Sequence, residues 1–255
     1  MEYFVNEDSI VRKIWGRGDT ILFIFAGASA EFALNKAVDW LYFTGKLPSD
    51  PLGRLFSTVS YARSIVFAKK DEAEKSIDII TAIHGSVEAK RGMKIPDWAY
   101  RDVLFMLIYY SIRSFEVLER KLTVKEKEEV FNVFNRVGIR MGLSGLPETY
   151  EDWIPMRAGH LKEDMKHGAL TDDLFGKYRQ HLGYTRYILL LLVQALVCPV
   201  RVRTMLRLRG GSLLKPVIVF YKLGRIVKFD RFLKNLMLPS QYKKEIMALD
   251  VAILP

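Results

Sequence analysis

The chain is poor in the features that staple or partition a protein. Cys198 is the only cysteine in 255 residues, so no disulfide framework can form within the chain, and a reducing compartment suits it. No run of Pro, Gly and Ser separates two independently patterned halves, and no repeat period or low-complexity tract is present. A single domain over residues 1–255 is expected. The N-terminal Met-Glu-Tyr-Phe-Val-Asn-Glu-Asp has no basic segment leading into an apolar run, which argues against a signal peptide and for a cytoplasmic location. Also missing are a Walker loop and a Gly-x-Ser-x-Gly elbow. Gly16-x-Gly18 precedes a helix but follows no strand, so a dinucleotide-binding turn fails on context. Without a zinc-finger, helix-turn-helix or RNA-binding signature, no nucleic-acid partner is expected.

What the chain does have is apolar and helix-patterned. Hydrophobic residues make up 50% of it, enough to bury one sizeable core without metal or disulfide staples. Asp8 and Ser9 are placed to cap a short helix reaching Trp15, and Asp19 to cap a second through about Phe43. The second is apolar on nearly every face at first, then small at Gly27-Ala28-Ser29-Ala30. It is broken by Glu31, Asn35, Lys36 and Asp39 before it can span a bilayer. Asp50-Pro51 opens a third helix with a 3.6-residue apolar stripe through Val66. Asp71 starts a fourth with Ala73, Ile77, Ile80 and Ile83 inward, ending near Gly85 or Gly92. Helices follow after Pro96-Asp97, at the Thr123-x-x-Glu126 capping box, from Thr149, and from Thr171 to about Cys198. Only Val217–Tyr221 reads as a strand. The fold class expected is an all-α, single-domain bundle.

Charge is unevenly placed. The net charge is +10, and residues 201–255 carry twelve Lys or Arg against three Asp or Glu. Interleaved with Leu206, Leu208, Phe220, Phe229 and Phe232, this basic surplus suits peripheral contact with anionic lipid or a core-packed tail with solvated charges.

Two histidine settings invite chemistry. His160, Glu163, Asp164 and His167 fall at i, i+3, i+4 and i+7, a spacing that can hold a metal. No second matching motif accompanies them, and a solvated face between Gly159 and Gly168 is expected instead. His84 follows the apolar Ile80 and Ile83 near a helix end and should point inward, as a hydrogen-bonded core histidine or as a metal ligand. One histidine suffices for haem, whose iron needs a single strong proximal nitrogen and whose apolar ring fits between helices. Upstream, Arg54 and Thr58 lie at i and i+4 and project from one helix face. Cys198, in apolar surroundings before Pro199, reads as an inert buried thiol.

Several segments, taken in order, carry a resemblance. They are Gly18-Asp19, Ala26-Gly27-Ala28-Ser29-Ala30, Arg54-Leu55-Phe56-Ser57-Thr58, His84-Gly85-Ser86-Val87, Leu122-Thr123, Gly138-Ile139-Arg140-Met141-Gly142-Leu143, Leu146–Trp153 and Leu238-Pro239. Together they resemble the haem oxygenases of the MpaB and latex-clearing rubber oxygenase family (DUF2236). The resemblance implies haem b as cofactor and His84 as the proximal iron ligand. Arg54 and Thr58 would line the distal side, with Arg54 also able to reach a propionate. It implies an oxidoreductase acting with dioxygen on an apolar, isoprenoid- or polyketide-like substrate. Rubber oxygenases have a Lys directly before that Thr, able to occupy the sixth iron position. Here Ser57 stands there, and Ala89 stands at a family glycine, so the substrate is left open. Other readings are a non-catalytic haem carrier or sensor, and a cofactor-free helical protein of the membrane surface.

Overall fold

The computed structural model describes residues 2–45 and 49–224, within which there are eleven α-helices, one short 3-10 turn and no strand. The helices are α1 (Ile10–Trp15), α2 (Gly18–Leu34), α3 (Val38–Phe43), α4 (Pro51–Val66), α5 (Lys70–Arg91) and α6 (Asp97–Leu118). They continue with α7 (Val124–Arg140), α8 (Tyr150–Glu163), α9 (Ala169–Val197), α10 (Val200–Met205) and, after the turn Gly211–Leu213, α11 (Leu214–Gly224). The expected all-α bundle is the observed one.

The caps follow from local chemistry. Ser9 Oγ accepts from the Val11 amide at α1, and Asp50 accepts from the Gly53 amide at α4 with Pro51 in the first turn. Thr123 and Glu126 form a reciprocal capping box at α7, and Thr149 and Asp152 form another at α8. Gly92 closes α5 in the left-handed conformation, with φ of 69°.

At the centre lies α2, buried along nearly its whole length and packed along α6 and α9. Its apolar residues surround the helix instead of forming one stripe, as a helix enclosed by neighbours requires. Gly27 sets the approach to α6: a Cβ there would stand 2.2 Å from the Tyr110 ring. Helices α4 and α5 pack on each other across the short connection 67–69, α7 covers α1, α5 and α6, and α8 closes over α6. The core runs from Trp15 and Phe25 through Phe105, Tyr110 and Phe131 to Trp153 and Leu174.

Four local expectations are corrected. Helix α2 ends at Leu34, because Asn35 is extended, with ψ of 135°, and turns to pair with Asp102; α3 is a separate helix. Asp19 sits inside α2, whose N-cap position is Arg17, and accepts from the Tyr221 hydroxyl at 2.7 Å. Val217–Tyr221 is helical within α11, where Leu214 and Ile218 are buried one turn apart. Finally, α9 kinks at Gly183, whose φ of 73° a side chain would disfavour. Among the described residues no helix is long and apolar enough to cross a membrane. Most of the basic tail, residues 225–255 including Leu238-Pro239, lies outside the described residues.

Candidate functional site

The inward face of α5 carries Ala73, Ile77, Ile80 and then His84, spaced by four, three and four residues along one stripe. Ala73 and Ile77 are fully buried, and Ile80 and His84 are half-buried. Ile83, expected inward, is instead 40% exposed, because one residue is 100° of helix and His84 takes the inward place. The His84 imidazole meets the edge of the Tyr100 ring on α6, with centroids 5.2 Å apart and planes at 84°. Glu88, one turn beyond, accepts from the Tyr100 hydroxyl at 3.1 Å and from the Ile95 amide at 2.9 Å. Burial, with Glu88 and Asp97 nearby, raises the Tyr100 phenol pKa, so the phenol stays protonated and holds this corner.

Thr58 is half-buried on α4, as is Ser57. The Arg54 side chain lies outside the described residues, though its backbone belongs to α4. Measured along the α4–α5 hairpin at 1.5 Å per residue, Thr58 stands about 12 Å from the connection, Arg54 about 18 Å and His84 about 21 Å. Arg54 and His84 are therefore nearly level on adjacent helices, and Thr58 is set back toward the connection. Ile79 and Ile83, off the inward stripe of α5, are 54% and 40% exposed, and Val103, one turn beyond Tyr100 on α6, is 39% exposed. One half-buried imidazole among apolar side chains is a donor set suited to a flat apolar macrocycle that needs a single axial nitrogen.

A second constellation was legible only in part: the sequence spaces His160 and Asp164 at i and i+4 but gives no sign of their partner Asp102. His160 on α8 is buried, not solvated, and its Nδ1 lies 2.7 Å from Asp102 of α6 and 2.7 Å from Asp164. Asn35 Nδ2 donates to the other Asp102 oxygen at 2.5 Å. Burial alone would lower the imidazole pKa. The Asp102 and Asp164 carboxylates outweigh it and raise that pKa above the usual 6.5. Asp102, His160 and Asp164 offer three ligand atoms within 4.8 Å of one another. Ligands sharing a tetrahedral zinc, each about 2.0 Å from it, would stand roughly 3.3 Å apart. The 2.7 Å contact to Asp164 is a hydrogen bond and that to Asp102 a close ion pair. His167 lies beyond α8, exposed, 3.3 Å from Asp172.

Beside this triad, Glu31 of α2 accepts from Arg157 Nη2 at 2.5 Å and from the Tyr110 hydroxyl at 2.9 Å. The Cys198 thiol lies against Tyr110 at 3.5 Å, and burial pushes its pKa up to about 12, so it is unreactive, as expected. Besides the His160–Asp164 spacing, the sequence signal for these groups is a carboxylate inside an apolar run, Glu31 in α2 and Asp102 in α6.

Comparison with curated proteins gave no match, and comparison with solved structures gave none. The family model described as "ER-bound oxygenase mpaB/B'/Rubber oxygenase, catalytic domain" matches residues 13–229, a span that holds both the His84 corner and the α4 helix facing it. The chain therefore belongs to the mpaB and rubber oxygenase catalytic-domain family.

Proposed function

We propose that the protein is a haem b-dependent oxygenase acting with dioxygen on an apolar small molecule, with its reactive centre between α4 and α5. Family membership supports oxygenase activity in general. The observation that carries the haem reading is His84, on the inward stripe of α5 with its ring against Tyr100. Bound there, haem would supply the redox chemistry with dioxygen.

The chain's own residues do the rest. His84 would hold the haem through its imidazole, which packs against the Tyr100 ring, itself fixed through Glu88. The Thr58 hydroxyl can donate to an oxygen ligand, and the Arg54 guanidinium can bind a propionate or an oxygen atom. Ile77 and Ile80, on the same stripe as His84, supply apolar surface beside it. Ser57 has a short neutral hydroxyl where rubber oxygenases carry an iron-reaching lysine, so polyisoprene cleavage is not proposed.

Two measurements on haem-supplemented protein test this. A Soret band is expected on reconstitution, and its absence would remove any haem role. Oxygen uptake with alkenes or polyketides is expected to exceed the substrate-free rate. A Soret band without substrate-dependent uptake would make the protein a haem carrier or sensor.

A further inference from the structure

A second site lies at the other end of α6. A cleft of about 570 Å³ opens between α6, α7, α8 and α10, within the size range of small-molecule sites. Its nearer wall holds Tyr109, Ile112 and Arg113, and even Tyr109 lies nine residues, or about 14 Å of helix, from the Tyr100 that abuts His84. The cleft is thus separate from the proposed haem corner.

Its lining is apolar with a strong excess of cationic donors. Arg113, Lys127, Arg157 and Arg203 line it against a single carboxylate, Glu116. That carboxylate is already engaged by Lys121 at 3.2 Å, Lys127 at 3.1 Å and the Leu122 amide at 3.3 Å. Three lining side chains carry four buried donor nitrogens with no acceptor among the described residues: Trp153 Nε1, Arg157 Nε and Nη1, and Arg203 Nε. Trp153 and Arg157 are each 4% exposed. Arg157 spends only Nη2 on Glu31, leaving two donors on a guanidinium that sits over the Tyr109 ring at 5.4 Å. Buried donors are paired in the great majority of folded proteins, so four such nitrogens on lining side chains of α8 and α10 call for an acceptor. The Trp153 ring, stacked on Tyr150, together with Ile112, Ile154 and Leu161, supplies the apolar remainder.

We propose that this cleft binds an amphipathic carboxylate, its anionic head among Arg157, Arg203 and Trp153 and its apolar body along Ile112, Ile154 and Leu161. A carboxylate has two oxygens and about four acceptor positions, enough for the orphaned donors, and a planar guanidinium matches it. The apolar wall selects against a bare oxyanion, and the cation excess selects against a neutral or cationic amphiphile.

Calorimetric titration of the purified, haem-supplemented protein with decanoate, decan-1-ol and inorganic phosphate tests this. Decanoate is expected to bind at least tenfold more tightly than decan-1-ol, and phosphate to bind at least tenfold more weakly than decanoate. Arg203→Gln, at a half-buried position, is expected to weaken decanoate about tenfold and leave decan-1-ol unchanged. Trp153→Phe keeps the ring and removes one donor, and is expected to weaken decanoate severalfold. If Trp153→Phe fails to fold, Arg203→Gln carries the test alone. Equal affinity for acid and alcohol, tight binding of phosphate alone, or unchanged decanoate binding in Arg203→Gln would each overturn the proposal. The Soret band of the same variants reports the His84 corner independently.

Discussion

Glu31 on α2 and Arg157 on α8, 126 positions apart in sequence, meet at 2.5 Å with side chains 0% and 4% exposed. Removing either partner leaves a buried charge uncompensated, which typically costs about 3–5 kcal/mol. Arg157→Met and Glu31→Gln are each expected to lower the unfolding free energy, measured by denaturant titration, by about that amount. The double replacement Glu31→Leu with Arg157→Met should recover a large part of the loss, since an apolar pair of similar volume removes both desolvation penalties. A double variant no more stable than its singles would mean that the pair contributes mainly through Tyr110.

His160 gives stability a pH dependence of definite sign. Its folded-state pKa is raised by Asp102 and Asp164 above 6.5, so its charged form is favoured by folding. The contribution is fully present below about pH 6.5 and is lost as pH rises through the raised value. His160→Gln should therefore destabilise more at pH 6 than at pH 9, by about 3 kcal/mol at the acidic end. Urea unfolding at the two pH values checks this, and a larger loss at pH 9 would contradict the ion-paired assignment.

The α2–α6 contact is equally testable. A Cβ at Gly27 would stand 2.2 Å and 2.3 Å from two Tyr110 ring carbons. Gly27→Ala improves helix propensity by about 1 kcal/mol but forces the two helices apart. Overpacking typically costs about 1–3 kcal/mol, so a net fall in thermal midpoint is expected. Gly27→Ala with Tyr110→Phe would keep the clash, because the ring carbons remain.

What the sequence revealed and concealed divides by the range of the interaction. The capping box at Thr123 and the helix starts at Thr149 and Asp50 were legible because each rests on residues close in sequence, although the box at Thr149 emerges only in the structure. The α5 stripe was legible to within one position: Ile83 and His84 are neighbours, and only packing decides which of two adjacent residues turns inward. Val217–Tyr221 misled because β-branched residues fill it, while Leu214, Ile218 and Tyr221 already held the helical spacing. The buried pairs Glu31–Arg157 and Asp102–His160 were hidden, since no local pattern links residues on helices far apart in sequence. Lone charges in apolar helices marked the positions without naming their partners.

The most direct test of the central claim is the absorption spectrum of folded His84→Ala after haem supplementation. If His84 supplies the axial bond, the variant should keep its helical circular dichroism and lose the Soret band that wild type acquires. Thr58→Ala should retain the band and shift ligand affinity by the worth of one hydrogen bond, about 0.5–1.5 kcal/mol. A folded His84→Ala protein with its Soret band at full strength would contradict the assignment.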